Sequence, residues 1–101
     1  MPKPLNFSEQ WIEPILSGSK RLTVRRAGAG YKPGDSVKAM RRNHPAFATL
    51  AIEKVKPARV EELTPAQARL DGHASLDELR QALGRLYPGE EEFDVIWFRV
   101  A

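Results

Sequence analysis

The sequence G-S-K-R-L-T-V-R-R at residues 18–26 decides how the chain is organised, because it joins a glycine turn to a short strand pattern. From Leu22 to Arg25 apolar and polar residues alternate, and this spacing predicts a strand with Thr23 and Arg25 on the same face. Lys20 lies three positions before Thr23, an odd separation that would place the two side chains on opposite faces of a regular strand. We therefore predict that Lys20 lies in the turn before the strand and reaches back over it.

An amphipathic segment precedes this turn. Ser8 followed by Glu9 has the pattern of a helix start, and apolar residues follow at helical spacing. Pro14 removes a helical hydrogen bond, so we expect a short or kinked helix. Gly18 would end that helix in the left-handed conformation. A brief strand is predicted at residues 5–7, before the helix.

Two further strands are predicted after the turn. The sequence K-P-G-D at residues 32–35 is a turn signal, since proline presets one turn dihedral and glycine supplies the positive one. It leads into a predicted strand at residues 36–40. A third strand is predicted at residues 46–55, where imperfect apolar spacing is compatible with a bulge.

The C-terminal half begins with two helix signals. Thr64 with Gln67, and Ser75 with Glu78, have the spacing of capping boxes, and the second predicted helix stops before Pro88. Alternation at residues 93–100 then predicts a strand that is buried largely on both faces. The order of these elements predicts a small α+β fold with a curved sheet or barrel and two to three flanking helices.

Composition limits the possible functions. A chain of 101 residues is expected to form a single domain over residues 1–101. The absence of cysteine excludes disulfides, zinc-thiolate sites and a cysteine nucleophile, and His44 and His73 are too far apart for a simple metal motif. We expect neither a metal nor a cofactor. Because no apolar run has the length of a signal peptide or a membrane span, we expect a cytoplasmic protein without a membrane partner.

Positive charge is concentrated in one segment of the chain. The net charge is +3, yet between residues 20 and 42 Asp35 is the only acid. The basic residues of this segment are Lys20, Arg21, Arg25, Arg26, Lys32, Lys38, Arg41 and Arg42. Such asymmetry is typical of a protein with an anionic partner such as RNA or a nucleotide, and a solvated basic face without a partner would have the same composition.

Six short motifs occur in a fixed order along nearly the whole chain, from about Phe7 to Val100. Together they resemble an ASCH domain, a member of the PUA-like superfamily of RNA-associated β-barrels. The motifs are I-L-S-G-S-K-R-L-T-V-R (15–25), K-P-G-D (32–35), E-E-L-T-P-A-Q-A-R-L-D-G (61–72), S-L-D-E-L (75–79), L-Y-P-G (86–89) and F-D-V-I-W-F (93–98).

The resemblance is greatest to the small bacterial ASCH proteins that act as N(4)-acetylcytidine amidohydrolases. In that group a G-x-K-x-x-T-x-R segment provides a catalytic lysine and threonine, and a glutamate in an A-x-x-E segment completes the set. The first segment matches residues 18–25, so the resemblance implies catalytic roles for Lys20 and Thr23. The second segment matches residues 68–71 except that aspartate, Asp71, stands in place of glutamate.

The resemblance also implies a partner. The expected substrate is N(4)-acetylcytidine or a related acylated nucleoside, and the oligomeric state is left open. Residues expected to bind substrate are Arg25, Arg26 and Tyr87, and residues expected to contact nucleic acid are Arg21, Lys38, Arg41 and Arg42. The alternative function is an RNA-binding ASCH module, with or without single-stranded ribonuclease activity.

Such chemistry requires a neutral lysine. A threonine hydroxyl attacks a carbonyl only when a base takes its proton, and Lys20, with an ordinary pKa of about 10.4, is a base only if that pKa falls. Burial and nearby cations both lower it. Simpler interpretations also fit: a solvated lysine, a threonine present for its β-branching, and Asp71 as a turn residue. Tyr87, Phe93 and Trp97 are candidates for base stacking or for the core.

Overall fold

The computed structural model of the protein describes residues 2–101, in which five strands form one sheet. The strands are β1 (Leu5–Asn6), β2 (Leu22–Arg26), β3 (Ser36–Met40), β4 (Ala46–Arg59) and β5 (Glu92–Val100). Their order across the sheet is β1-β3-β4-β5-β2, so the two N-terminal strands form its opposite edges. β1 pairs with β3 in parallel, whereas the other neighbours are antiparallel.

Two irregularities in the strand pairing accompany the curl of the sheet into a half-barrel. The β4–β5 register shifts between Ile52 and Lys54, and the β3–β4 register shifts at Met40. A bulge bends the strand that carries it and increases its twist. The bulge expected in the third strand is thus confirmed, but the strand extends to Arg59 rather than ending at Val55. Residues 56–59 lack apolar alternation, and pairing with β5 extends the strand through them.

Three helices flank the sheet: α1 (Ile12–Ser17), α2 (Pro65–Leu70) and α3 (Leu76–Leu86). A turn of 3₁₀ helix at Glu9–Trp11 leads into α1. Because α1 starts at Ile12, Pro14 falls in the first turn, where a backbone N–H has no helical acceptor. The helix is short, as predicted, and ends at Gly18, which has a φ of 88°. Ser8 occupies the N-cap position of the 3₁₀ turn but makes no side-chain capping bond.

The caps of α2 and α3 differ. Thr64 accepts a bond from the Gln67 amide at 3.1 Å, and the Gln67 side chain accepts one from the Thr64 amide at 2.9 Å, which completes the predicted capping box. Ser75 likewise accepts from the Glu78 amide at 3.1 Å. The carboxylate of Glu78, however, contacts His73 instead of returning to the Ser75 amide. The second box is therefore only half formed, and this prediction was wrong for Glu78.

Two apolar clusters form the core, and β5 contributes to both. Ile96 and Phe98 belong to the cluster beneath α1, whereas Phe93 and Val95 belong to the cluster beneath α2 and α3. The prediction of a final strand buried on both faces is confirmed. Phe93 is a core residue, only 1% exposed, so it is not a platform for a bound base. Trp97 packs beneath the ammonium group of Lys54, 4.9 Å from its ring centre.

Candidate active site

Lys20 and Asp71 meet in the interior although 51 residues separate them in the sequence. The Lys20 ammonium forms an ion pair with the Asp71 carboxylate. It also donates to the backbone carbonyl of Asp71 at 2.6 Å and to that of Leu22 at 3.0 Å. These three bonds occupy all the donors of an ammonium group. Lys20 is only 2% exposed and Asp71 only 6% exposed, so both are buried.

The local fold explains why Lys20 points inward. As predicted, it precedes β2, in the turn that follows the left-handed Gly18. Its backbone amide donates to the Pro14 carbonyl at 3.0 Å, and the next amide, of Arg21, donates to the Leu70 carbonyl at 2.9 Å. Leu70 is the last residue of α2 and Asp71 follows it. The end of α2 is thus fixed to the start of β2 through the backbone as well as through the ion pair.

Thr23 and Arg25 lie on one face of β2, as predicted. The Arg25 Nε–H donates to Thr23 Oγ1 at 3.0 Å, and its Nη2 group donates to the backbone carbonyl of Asn6 at 2.9 Å. The guanidinium also lies 4.9 Å from the ring centre of Phe7. Thr23 is 4% exposed. Since its oxygen accepts a charged donor, the hydroxyl proton is free to be given to another group.

Two aromatic rings face the amine. The Lys20 nitrogen lies 4.6 Å from the ring centre of Trp11 and 5.8 Å from that of Phe7. The Trp11 ring packs directly on Gly72, where a Cβ atom would overlap the ring. Gly72 also has a φ of 98°, a left-handed conformation that only glycine adopts readily. Both properties require glycine next to Asp71.

Burial changes the pKa values of the ion pair in opposite directions. Burial lowers the pKa of Lys20 below its ordinary value, although the Asp71 charge opposes the shift. Burial also raises the pKa of Asp71, although the charge of Lys20 opposes that shift. Both shifts disfavour the charged forms and move the shared proton from the amine towards the carboxylate. Burial further lowers the pKa of the Arg25 guanidinium.

Lys20, Thr23 and Asp71 all line one cleft of about 810 Å³. Arg25 and Tyr87 line it as well, as do Arg41 and Arg42. Within residues 2–101 no hydrogen bond joins Lys20 to Thr23. The two are connected through Leu22, whose carbonyl accepts from Lys20 and which immediately precedes Thr23.

The remaining predicted contact residues lie elsewhere. Arg26 lines a smaller neighbouring pocket of about 250 Å³, which shares Arg25 and Tyr87 with the main cleft. It forms an exposed ion pair with Glu90 at 3.4 Å, and its guanidinium lies 5.5 Å from the Tyr87 ring centre. Lys38 lies on the outer face of β3, where it donates to Thr49 at 3.1 Å. Neither Lys38 nor Arg21, which is exposed, is among the residues that line the cleft.

Sequence reasoning missed part of the cleft wall. The apolar spacing around Trp11 predicts a structural role, and the ring does pack against the core cluster that contains Phe7. It also faces Lys20 in the cleft, and Phe7 and Glu78 are cleft residues as well. The polar, loop-like context of His73 in the sequence predicts an exposed side chain, and this prediction was wrong. The side chain is only 11% exposed, and its Nδ1 atom lies 3.1 Å from Glu78 Oε1. A signal for His73 was available in its position two residues after Asp71. Nothing in its local pattern identifies its partner.

In residues 2–101, no three His, Asp or Glu side chains lie together in a way that could hold a metal ion. In the same range, every helix is too short or too polar to cross a bilayer.

Comparison with known proteins identifies relatives of the whole chain. No protein-family model matches it. The N(4)-acetylcytidine amidohydrolase of Klebsiella pneumoniae (strain 342) is 33% identical over 97 residues, which cover 94% of this chain and 93% of the relative. The protein of the same name from Haemophilus influenzae (strain PittEE) is 33% identical over 101 residues, which cover 98% of this chain and 96% of the relative.

A solved structure shows the same fold. The crystal structure of an ASCH domain from Lactobacillus crispatus JV V101 matches with a TM-score of 0.75 at 15% identity, covering 88% of this chain and 69% of that one. At this identity the likeness concerns the fold. It confirms the predicted α+β, PUA-like architecture with a curved sheet.

Proposed function

Since the chain belongs to the family of the N(4)-acetylcytidine amidohydrolases, we propose that it hydrolyses N(4)-acetylcytidine to cytidine and acetate. The observation that supports this most is that Lys20, Thr23 and Asp71 line one cleft. A buried lysine with a lowered pKa, a buried hydroxyl and a buried carboxyl group are the components of acyl transfer by a nucleophile and a base.

Lys20 is the proposed base and Asp71 its proton acceptor. Burial disfavours both charged forms and so lowers the cost of passing the proton of the ion pair from the amine to the carboxylate. In the proposed reactive form the amine is neutral and Asp71 holds this proton. The amine then gives up its bond to the Leu22 carbonyl and turns towards Thr23. The shorter side chain of aspartate is compatible with this role, because Asp71 is in direct contact with the amine.

In the first half-reaction the Thr23 oxygen attacks the acetyl carbonyl carbon while Lys20 takes the hydroxyl proton. The carbon–nitrogen bond then breaks, and the exocyclic nitrogen of the base takes a proton from Lys20. Cytidine leaves, the acetyl group stays on Thr23 as an ester, and Lys20 is neutral again. Arg25, which already donates to Thr23 Oγ1, stabilises the negative charge that develops near that oxygen.

In the second half-reaction a water molecule attacks the acetyl ester. Lys20 takes a proton from the water, the Thr23 oxygen leaves, and it recovers its proton from Lys20. Acetic acid is released and loses its proton in solution. Tyr87, which lines the cleft and is half-buried, is the proposed stacking partner of the pyrimidine ring.

The test is turnover of N(4)-acetylcytidine by the purified protein, followed as cytidine formation. We expect Lys20→Met and Thr23→Val each to lower kcat by a factor of about 10³ or more, since a base and a nucleophile that act together are lost as a unit. Matched controls are Lys56→Met and Thr49→Val, which change the same residue types on β4 away from the cleft and should retain activity. Absence of turnover by the wild type, or full activity of either cleft variant, contradicts the proposal.

An RNA that carries acetylcytidine is a second candidate ligand. Arg42 and Arg85 line the cleft, and no acidic residue within residues 2–101 forms an ion pair with either of them. Free cations at a cleft favour an anionic ligand. Binding of single-stranded RNA should weaken steeply as the salt concentration rises. In Arg42→Ala, the slope of the logarithm of the binding constant against the logarithm of the salt concentration should fall by about one. No binding at low salt removes this candidate.

A further inference from the structure

His73 lines the cleft, and its ring is held in place by two neighbouring side chains. Its Nδ1 atom lies 3.1 Å from Glu78 Oε1. A carboxylate only accepts hydrogen bonds, so Nδ1 carries the proton and donates it. The ring also meets Trp11 edge to face, with 5.4 Å between ring centres and 68° between planes. Its backbone amide donates to the Ala68 carbonyl at 2.9 Å, which fixes the chain beneath the ring.

Glu78 is the second part of this arrangement. It stands at the position from which a capping-box glutamate returns to the N-cap amide, here that of Ser75. Its side chain contacts His73 instead, and the contact joins the turn after α2 to the first turn of α3. The helix thus forgoes one capping bond, and the imidazole gains a fixed orientation.

The other ring nitrogen, Nε2, is open. No residue of the described chain forms a hydrogen bond with it. Every buried side-chain nitrogen or oxygen among residues 2–101 has a partner, so Nε2 is not among the enclosed atoms. His73 and Glu78 both line the main cleft. Nε2 therefore belongs to a fixed ring that lines the cleft, and it has no partner among the described residues.

The different exposure of the cleft residues indicates which part of a substrate would contact His73 Nε2. The reacting groups are enclosed, with Thr23 at 4% exposure, whereas the side chains of His73 and Glu78 are 11% and 50% exposed. With the acetyl group at Thr23, the sugar is the part of a nucleoside that extends towards the mouth. A ribose hydroxyl can donate to Nε2 of a neutral imidazole or accept from a protonated one.

We propose that His73, held by Glu78, binds a ribose hydroxyl and so gives the enzyme a preference for the nucleoside over the free base. This inference rests on the proposed function, since it assigns the sugar contact of the same cleft. One hydrogen bond of this kind corresponds to about a 3- to 10-fold difference in kcat/KM.

The experiment compares N(4)-acetylcytidine with N(4)-acetylcytosine, which lacks the sugar, in three proteins. His73→Asn places a donor near Nδ1 and keeps the Glu78 contact but removes Nε2. His73→Gln places a polar atom near Nε2. We expect the asparagine variant to lower the ratio of kcat/KM for nucleoside over base about 3- to 10-fold, and the glutamine variant to restore most of it. Both substrates are assayed with the same sample of each variant, so partial unfolding lowers both kcat/KM values equally and leaves their ratio unchanged.

Two results overturn this inference while leaving the proposed function intact. One is an asparagine variant whose ratio equals that of the wild type. The other is an equal loss of kcat/KM for both substrates in both variants, which would indicate a structural role in packing on Trp11. If the wild type hydrolyses neither compound, the proposed function itself is wrong.

Discussion

At the scale of single residues, the buried pair of Lys20 and Asp71 is expected to cost stability. Removing two charges from water costs several kcal/mol per ion, and their attraction recovers this only in part. Bulk water does not solvate the pair, since the Lys20 side chain is 2% exposed and the Asp71 side chain is 8% exposed. An ionisable pair that destabilises the fold and has perturbed pKa values is typical of a catalytic site.

Replacing both charged residues should therefore restore stability while abolishing activity. We expect Lys20→Met and Asp71→Leu singly to lower the free energy of unfolding by about 3 kcal/mol, since each leaves one buried charge unpaired. The double variant should lie within about 1 kcal/mol of the wild type or above it. Urea denaturation of the wild type, the two single variants and the double variant gives the four free energies of unfolding. A double variant less stable than both singles would contradict this account of the pair.

The pH dependence of the same variants tests the direction of each pKa shift. Lys20 has a pKa below 10.5 when folded, so between the two values the unfolded chain binds more protons and stability rises with pH. Asp71 has a pKa above 3.8 when folded, so its contribution is present below 3.8 and is lost as pH rises through the folded pKa. Relative to the double variant, the wild type should lose stability above pH 3.8 and regain it towards pH 10.5.

Much of the site at this scale was predictable from the sequence. The pattern of residues 18–25 predicted that Lys20 precedes β2 and that Thr23 and Arg25 share a face, because strand periodicity is a local property. The contact between Lys20 and Asp71 could not be derived from local pattern, since it spans 51 residues. Resemblance to relatives indicated Asp71, and only the folded chain shows that its shorter side chain reaches the amine.

At the scale of elements, the end of α2 determines how the cleft is shaped. Gly72 lets the chain turn immediately after Asp71 and lets Trp11 pack against its backbone. The same turn places the His73 ring edge to face against Trp11. The helix end therefore positions a carboxyl group, an aromatic wall and an imidazole together.

Gly72→Ala should be more destabilising than its backbone conformation alone explains. A left-handed alanine costs roughly 1–2 kcal/mol, and the added methyl group must also displace the Trp11 ring. Gly34→Ala is the matched control, since Gly34 has a φ of 92° and open space around it. We expect denaturation to give a loss of about 1–2 kcal/mol for Gly34→Ala and at least 1 kcal/mol more for Gly72→Ala. Equal losses would mean that the contact with Trp11 is unimportant.

Element boundaries were predictable where the signal was a cap or a turn. Gly18, Thr64 and Ser75 mark observed helix ends because capping is a short-range interaction. The end of β4 was not predictable from the sequence, because pairing with β5 extends the strand beyond the apolar pattern. Glu78 shows the same limitation, since a partner outside the helix captured its side chain.

At the scale of the whole molecule, Arg25 connects the two edges of the curled sheet. It belongs to β2 at one edge, and it donates to the carbonyl of Asn6 in β1 at the other. The two edge strands are not paired with each other, so each has a row of backbone groups without a neighbouring strand. The residue that contacts Thr23 thus also helps to close the half-barrel.

Arg25→Met should therefore affect both stability and catalysis. Loss of two bonds from a charged donor should lower the free energy of unfolding by about 2–3 kcal/mol, and kcat for N(4)-acetylcytidine should fall at least 10-fold. Arg99→Met is the control, since Arg99 forms an exposed pair with Glu53 at 3.6 Å whose loss should cost less than about 1 kcal/mol. A normal kcat in Arg25→Met would show that Thr23 needs no support from this guanidinium.

Two of the three acceptors that hold the Lys20 amine are backbone carbonyls, those of Leu22 and Asp71. Their positions depend on the course of the chain and not on which side chain follows it. An acid of a different length at position 71 would therefore leave the lysine with two of its three acceptors in place. The location of the amine is thus set mainly by the backbone, and the side chain at position 71 is left to set its charge state.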